Sequence, residues 1–501
     1  LIGGGGIVPT GAMTARAQLI LANRAFLDHE APRWADSPSA AASGGLLAAV
    51  RPVIAPWDGR TGTTWIGAGM GRFDREWVDE RGYEILETPR GPLRHRRLFF
   101  GSSTWQGHYG EVANSFTWPL FHLVRVDLPK ATPYYPEPHP PSEAGWQSFV
   151  VVNRAFAAAA CEEDGEQSCW VHDYQLALVP AMLRERGYRG PIGFFLHIPF
   201  PSMAVIRPYL EGEARERLRA IVAGILGADL AGFQTPGDVE RFIEAAGELC
   251  GARPAPGGVE IEGRLVRLGA YPVGIDPEEV LAAARRARPV TRVRLARELG
   301  LPVVVGLERG DFTKGIPERL RAIAEAYRRG HRFAYIGIAS PTREGVEVYG
   351  ALEAAIEREA ARAREAAYWV GCPFTQVRAS VGWDDVVALQ RDADVVFTSS
   401  LADGMNLVPL QAAIAQSLRP AEERAVVLAG VDAGVAKVYG GDGREGLRAV
   451  DPLDQASLLE GLTEGLAGRP ARVSDAFIAK VWEHDAKSWG ERFLADLEGR
   501  C

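Results

Sequence analysis

The stretch ADVVFTSSLADGMNLVPLQAAIAQSL, residues 393–418, passes from an apolar run to a helical pattern through a short polar loop. The run is continuously rather than alternately hydrophobic, which fits a parallel strand buried on both faces. The chain then spends Asp403, Gly404, Met405 and Asn406 on a tight turn before LVPLQAAIAQSL takes up the helix. An acid, a glycine and an amide at such a junction predict a loop whose backbone N–H groups face a ligand at a helix start.

The same strand–loop–helix unit recurs along the chain. Apolar runs stand at AQLILANR (17–24), SCWVHD (168–173), IGFFLHIP (192–199), DLAGFQT (229–235), LPVVVGLE (301–308), RFAYIGIA (332–339) and DVVFTSS (394–400). Helical stretches such as LALVPAMLRERG and GIPERLRAIAEAYRRG lie between them. Repeated βαβ order predicts an α/β protein with parallel sheets. The pattern weakens around 251–300, with hairpin-like pieces and a charged helix, and a fresh series of strands begins at Leu301. The boundary therefore falls near 272–280, dividing the chain into 16–275 and 276–485, with 486–501 a C-terminal helix packing back on the first part. The Pro-rich YYPEPHPP at 134–141 reads as a loop.

Composition sets the outer limits. A chain of 501 residues is too long for one core and suggests about two domains. With 47% hydrophobic and 24% charged residues, it has the balance of a soluble globular protein. A net charge of −8 argues against a nucleic-acid or membrane-surface binder, so any anionic substrate must be gripped by a few local cations. The cysteines at 161, 169, 250, 372 and 501 are scattered without CxxC spacing, as expected of reduced thiols in the cytoplasm. No run reaches membrane-span length, and the glycine-rich opening, residues 1–15, is expected to be a flexible lead-in rather than a signal peptide.

In open α/β sheets ligands bind beyond the carboxyl ends of the strands, so polar residues there matter most. Asp173 follows the run at 168–172; helix capping is its ordinary use. His197 closes a run too apolar to need it, and Pro199 and Pro201 stiffen the exit. Arg309 comes after a strand and Lys314 before a helix, where two cations can grip a pyrophosphate. Arg343 and Arg24 also follow strands, and Gly44–Gly45 permits close approach of backbone to a phosphate. Singly, each has a structural explanation in a cap, a core histidine or a surface ion pair. Repeated at corresponding strand ends, they point to a cleft for a phosphorylated, nucleotide-linked substrate. GxxxxGK[ST], GxGxxG with a following acid, HExxH and GxSxG are all absent, which removes the usual support for ATP hydrolysis, nicotinamide chemistry, zinc proteolysis and serine hydrolysis.

These residues resemble the motifs of the trehalose-6-phosphate synthase family (glycosyltransferase family 20), retaining enzymes of the GT-B fold. The likeness runs from about residue 17 to the C-terminal helix. It is carried by NR (23–24), GGL (44–46), NSFTWPLFH (114–122), VHDYQL (171–176), IGFFLHIPFPS (192–202) and PVGID (272–276). In the second half it continues through RGDFTKGIP (309–317), PTREGVEVY (341–349) and DGMNLV (403–408).

The resemblance implies two doubly wound Rossmann-like domains facing each other across a cleft, the first binding the acceptor and the second the donor. Arg309 and Lys314 would hold the donor diphosphate, with Gly45 approaching it from the first domain. Asp403 and the backbone of Gly404, Met405, Asn406 and Leu407 would bind the donor sugar and phosphates. His197 would contact the transferred sugar, and Asp173 would position reacting hydroxyls. Arg24 and Arg343 would grip the acceptor phosphate beside Tyr109 and Trp118. The reaction implied joins glucose from UDP-, GDP- or ADP-glucose to glucose 6-phosphate, giving trehalose 6-phosphate, without cofactor or metal. Self-association is left open.

The sequence departs from the family's pattern at Gln411, where a glutamate usually meets the ribose, at Ala68 in place of a second tryptophan, and at Gln175 in place of histidine. LERGDF replaces the more usual G-R-L-D-Y. These changes keep alive a glucosylglycerol-phosphate synthase and a pseudo-glycosyltransferase joining a nucleotide-cyclitol to an aminocyclitol phosphate. A nucleotide-sugar epimerase and a catalytically silent synthase-like domain are the readings from other classes.

Overall fold

The computed structural model describes residues 18–33, 40–41, 45–163, 165–342, 349–440, 445–469 and 471–499. The lead-in at 1–15, Gly44, Arg343 and Cys501 lie outside them.

Ten strands build the first sheet: β1 Gln18–Arg24, β2 Thr63–Ala68, β3 Tyr83–Thr88, β4 Gly91–Leu98, β5 Ser168–His172, β6 Ile192–Phe195, β7 Leu230–Phe233, β8 Arg253–Ala255, β9 Gly258–Ile261 and β10 Arg264–Ala270. Their order across the sheet is β8-β9-β10-β7-β6-β5-β1-β2-β4-β3. Six more, β11 Val303–Arg309, β12 Ala334–Ser340, β13 Phe374–Val377, β14 Val395–Phe397, β15 Val426–Gly430 and β16 Leu447–Val450, form a second sheet in the order β13-β12-β11-β14-β15-β16. The second sheet is parallel throughout. The first is parallel at its centre but ends at both edges in antiparallel hairpins, β3–β4 and β8–β9–β10, a departure from the expected all-parallel sheet. The weak pattern at 251–270 is the second of these, joined to the sheet through the parallel pairing of β10 with β7.

Burial explains why the central strands read as apolar runs: Leu19, Ile20 and Leu21 of β1, and Val303, Val304 and Val305 of β11, are fully buried. Strand β5 stops at His172 because Asp173 takes φ 70° and ψ 167°, a conformation that breaks the ladder. Within the parallel part of each sheet the strand order reverses once, between β1 and β5 and between β11 and β14. Those two switch points are where a crevice opens for ligand.

The last helix, Ala486–Leu497, packs on the first sheet rather than the second. Trp170 of β5 stacks on Phe493 with ring centroids 4.7 Å apart, and Trp489 donates its indole N–H to the Tyr271 carbonyl at 3.1 Å. The Pro-rich segment is a loop as expected, yet its tyrosines are buried against the second half. The Tyr134 hydroxyl bonds to Glu318, and the Tyr135 ring meets Phe312 at 5.0 Å. Among the described residues, no helix is long and apolar enough to cross a membrane.

Candidate functional site

The switch point of the second sheet gathers the cations. Arg309 ends β11, and its guanidinium is exposed and forms no ion pair among the described residues; it lies 5.8 Å from the Trp118 ring centroid. Lys314 sits one short turn later and is held by the Asp403 carboxylate, both side chains little exposed. Asp403 also accepts from Ser400 Oγ at 3.2 Å.

Beneath this pair lies a buried polar layer. Glu308 forms an ion pair with Arg319, both without solvent contact, and burial pushes the Glu308 carboxyl up against the pull of Arg319 and Lys314. Asn406 Nδ2 donates to Glu308 Oε1 at 3.3 Å and to Ser400 Oγ at 3.1 Å, while its carbonyl accepts from Val408 N–H at 3.1 Å. The amide in the opening stretch is therefore spent inside the protein, locking the loop to β11. Met405 is also turned inward, 7% exposed. What remains for a ligand is the backbone of the loop at the start of the helix Val408–Gln416.

The loop also explains its glycine. A Cβ on Gly404 would collide with the His197 carbonyl oxygen, so the two halves meet backbone to backbone here. Gly45 belongs to the same seam: a Cβ there would stand 3.6 Å from Leu407 Cδ1. It begins the helix Gly45–Val50 and is exposed.

On the first sheet, Asp173 occupies a region that non-glycine residues enter at a cost of about 1–3 kcal/mol. Three bonds impose it: its N–H donates to the Phe195 carbonyl at 2.8 Å, its carboxylate accepts from His197 N–H at 3.1 Å, and its carbonyl accepts from Leu176 N–H at 3.1 Å. His197 is partly exposed, and burial of its ring drops its pKa to about 3, so it is neutral near neutral pH. Arg24 ends β1 and pairs with Asp28 at 2.8 Å. Ala68, its register partner on β2, is fully buried.

Tyr109 lies in the π-helical run Gln106–Thr117, half-buried and stacked on Trp105 at 5.5 Å. Trp118 begins the next turn. Its indole N–H donates to Asp311 at 3.3 Å, so this expected acceptor-wall residue is anchored on the second half of the chain, beside Arg309. Gln411 is half-buried, with its carbonyl accepting from Gln390 Nε2 at 3.2 Å.

The structure thus brings Arg309, Lys314, Asp403, the 404–407 backbone, Gly45, His197 and Asp173 to one seam, with Trp118 beside them. Sequence reasoning missed Asp311, which is buried and also accepts from the Tyr349 hydroxyl at 3.1 Å. Its signal was present as the acid two residues after Arg309. Among the described residues, no group of three or more histidines, cysteines and carboxylates could hold a metal ion.

A family model described as Glycosyltransferase family 20 matches residues 18–499. The chain belongs to that family. Among family 20 relatives, trehalose-6-phosphate synthase of Mycolicibacterium smegmatis is 31% identical over 506 residues, covering 96% of this chain and 92% of that one. Alpha,alpha-trehalose-phosphate synthase [UDP-forming] A of Dictyostelium discoideum is 28% identical over 91% of this chain, which spans only 59% of that protein's length. A solved structure of alpha,alpha-trehalose-phosphate synthase (UDP-forming) from Burkholderia xenovorans, in complex with glucose-6-phosphate, superposes with a TM-score of 0.76 at 25% identity, covering 96% of this chain and 100% of that one. The family 20 fold here is the expected GT-B arrangement of two doubly wound halves.

Proposed function

We propose that this protein is a trehalose-6-phosphate synthase, transferring glucose from UDP-glucose to glucose 6-phosphate with retention of configuration. The observation that carries this reading is the seam itself. A guanidinium unpaired among the described residues, a held lysine and a helix start lie on one side, and a strained acid and a neutral histidine on the other, joined by the contact of Gly404 with the His197 carbonyl.

The chemistry follows from charge. Breaking the glycosidic bond to a nucleoside diphosphate develops negative charge on the leaving phosphate. Fixed cations and amide dipoles aimed at it lower the barrier because they need no reorganisation as the reaction proceeds. Arg309 is open to the diphosphate. Lys314 is oriented by Asp403 and keeps two further N–H donors for phosphate oxygens. Asp403 and the Gly404–Leu407 backbone cradle the sugar and phosphates, Gly45 approaches from the opposite half, and His197 contacts the sugar being transferred. In this reading residues 16–275 form the acceptor half and 276–485 the donor half. Asp173 positions the attacking hydroxyl, and Arg24 and Arg343 take the acceptor phosphate between Tyr109 and Trp118. The leaving phosphate itself receives the acceptor's proton, so no second carboxylate is required. Since both substrates are phosphorylated, the enzyme is assigned to the cytoplasm.

The test is a donor-by-acceptor assay with mass detection of product. UDP-, GDP- and ADP-glucose are each paired with glucose 6-phosphate, glycerol 3-phosphate and an aminocyclitol phosphate. Trehalose 6-phosphate, formed fastest from UDP-glucose, is the expected result. Coupling only to another phosphate would overturn the acceptor assignment and trace it to Ala68 and Gln175.

A further inference from the structure

Two imidazoles meet beneath the cleft. His172 closes β5, His197 follows β6, and the strands pair in parallel with His172 opposite Phe195. His172 Nδ1 lies 3.0 Å from His197 Nε2, a hydrogen bond. His172 is fully buried, its ring 4.4 Å from that of Trp170, whereas His197 is partly exposed. Burial holds both rings neutral, His197 with a pKa of about 3 and His172 well below the usual histidine range.

One hydrogen bond between two neutral imidazoles contains one proton, which has two possible homes. If it sits on His197 Nε2, then His172 Nδ1 accepts and His172 keeps its own proton on Nε2. That atom is buried and has no hydrogen-bond partner among the described residues. The unpartnered polar atom on the neighbouring ring, Trp170 Nε1, is itself a donor and offers it nothing. A buried orphan N–H is among the rarest defects in folded proteins, while an under-used acceptor is better tolerated. The proton therefore belongs on His172 Nδ1. His197 Nε2 then accepts, and the proton of His197 sits on Nδ1, the ring nitrogen turned away from His172.

We propose that His172 is a positioning residue that fixes His197 as the Nδ1–H tautomer, so that His197 offers the bound sugar a hydrogen-bond donor. The claim rests on His197 as the contact of the transferred sugar. A sugar hydroxyl then accepts from His197 and must give its own proton elsewhere, which orients it.

The experiment is long-range 1H–15N correlation on the full chain with labelled histidines at about pH 7, where both rings are neutral. His197 is assigned by its disappearance in His197→Gln. The expected spectrum shows His197 protonated at Nδ1 and bare at Nε2; the reverse, or an average, would overturn the proposal even if His172→Phe does not fold. His172→Phe keeps a ring and removes the donor. It should average the His197 signals and lower kcat about tenfold, the scale of one lost hydrogen bond, with donor KM little changed. His172→Asn, whose amide nitrogen takes the place of Nδ1, should restore most of kcat. A His172→Phe enzyme with normal kcat and an unaltered His197 tautomer would refute the positioning role. Normal turnover in His197→Ala would instead remove the sugar contact, a failure of the underlying reading that the spectrum distinguishes from a failure of the tautomer control.

Discussion

The two switch points border one seam, yet they are built from different materials. At the second sheet Arg309 stands exposed over a layer of charges that are already paired, Glu308 on Arg319 and Asp403 on Lys314, and Asn406 and Ser400 tie the two pairs together. At the first sheet the cation Arg24 is 52% exposed and, among the described residues, pairs with Asp28, four residues on. In the proposed reaction the second sheet's end would be organised before substrate arrives, as suits a site that must meet charge developing in the transition state. The first sheet's end holds Arg24 loosely, so the proposed acceptor phosphate would take it from Asp28 at little cost.

The largest expected effect breaks the paired layer. Glu308→Ala leaves the Arg319 guanidinium buried without its carboxylate and should cost about 3–5 kcal/mol in denaturant unfolding. Asp28→Ala, which frees the exposed Arg24, should cost less than about 1 kcal/mol. Equal losses would mean that the two ends do not differ in kind.

Next in size is Arg309→Ala. The side chain is exposed and makes no ion pair among the described residues, so the fold should survive while kcat falls by about 10²–10³, or roughly 2.7–4 kcal/mol. Near-normal kcat would remove Arg309 from the diphosphate and undo the contrast at its centre. Arg24→Ala is the counterpart on the other sheet. It should raise the acceptor KM about tenfold, the value of one exposed charge-assisted contact, and leave kcat nearly unchanged. A fall in kcat with KM unmoved would show the acceptor end to be as tightly organised as the donor end.

The grouping at the second sheet was the more legible in sequence. Arg309, Lys314 and the 403–407 loop belong to two local strand–loop–helix units whose strands are neighbours, so periodicity and turn chemistry place them together. The layer below them was not legible. Glu308 reaches Arg319 only because a buried strand end faces the following helix, and both read as ordinary charges on a surface. Contacts between the halves were less visible still, since Trp118 and Asp311 are 193 residues apart and each has an adequate local explanation. Strand β2 hid for a different reason: TTWIGA mixes threonine and glycine into the run, although all six of its residues are buried. Asp173, a candidate site residue whose ordinary use would be a helix cap, is a strained residue held by β6, a distinction no spacing rule expresses.

The smallest effect concerns Gln411, one of the positions at which the second sheet's end departs from the family's pattern. Gln390 Nε2 already donates to the Gln411 carbonyl, so the amide of Gln411 is left with N–H donors and no unshared acceptor oxygen for a ribose hydroxyl. Gln411→Glu would let one carboxylate oxygen keep Gln390 while the other accepts from the ribose. The expected result is a donor KM lower by about three- to tenfold, the gain of one charge-assisted hydrogen bond, with kcat and acceptor KM unchanged. A higher donor KM would carry a different lesson. The ribose would then be held by the Gln411 N–H groups acting as donors, and the carboxylate would both lose that bond and repel the diphosphate held at Arg309. The donor end would in that case keep its charge grip unchanged while its ribose contact had reversed polarity, separating the part of the site that stabilises the leaving group from the part that selects the nucleotide.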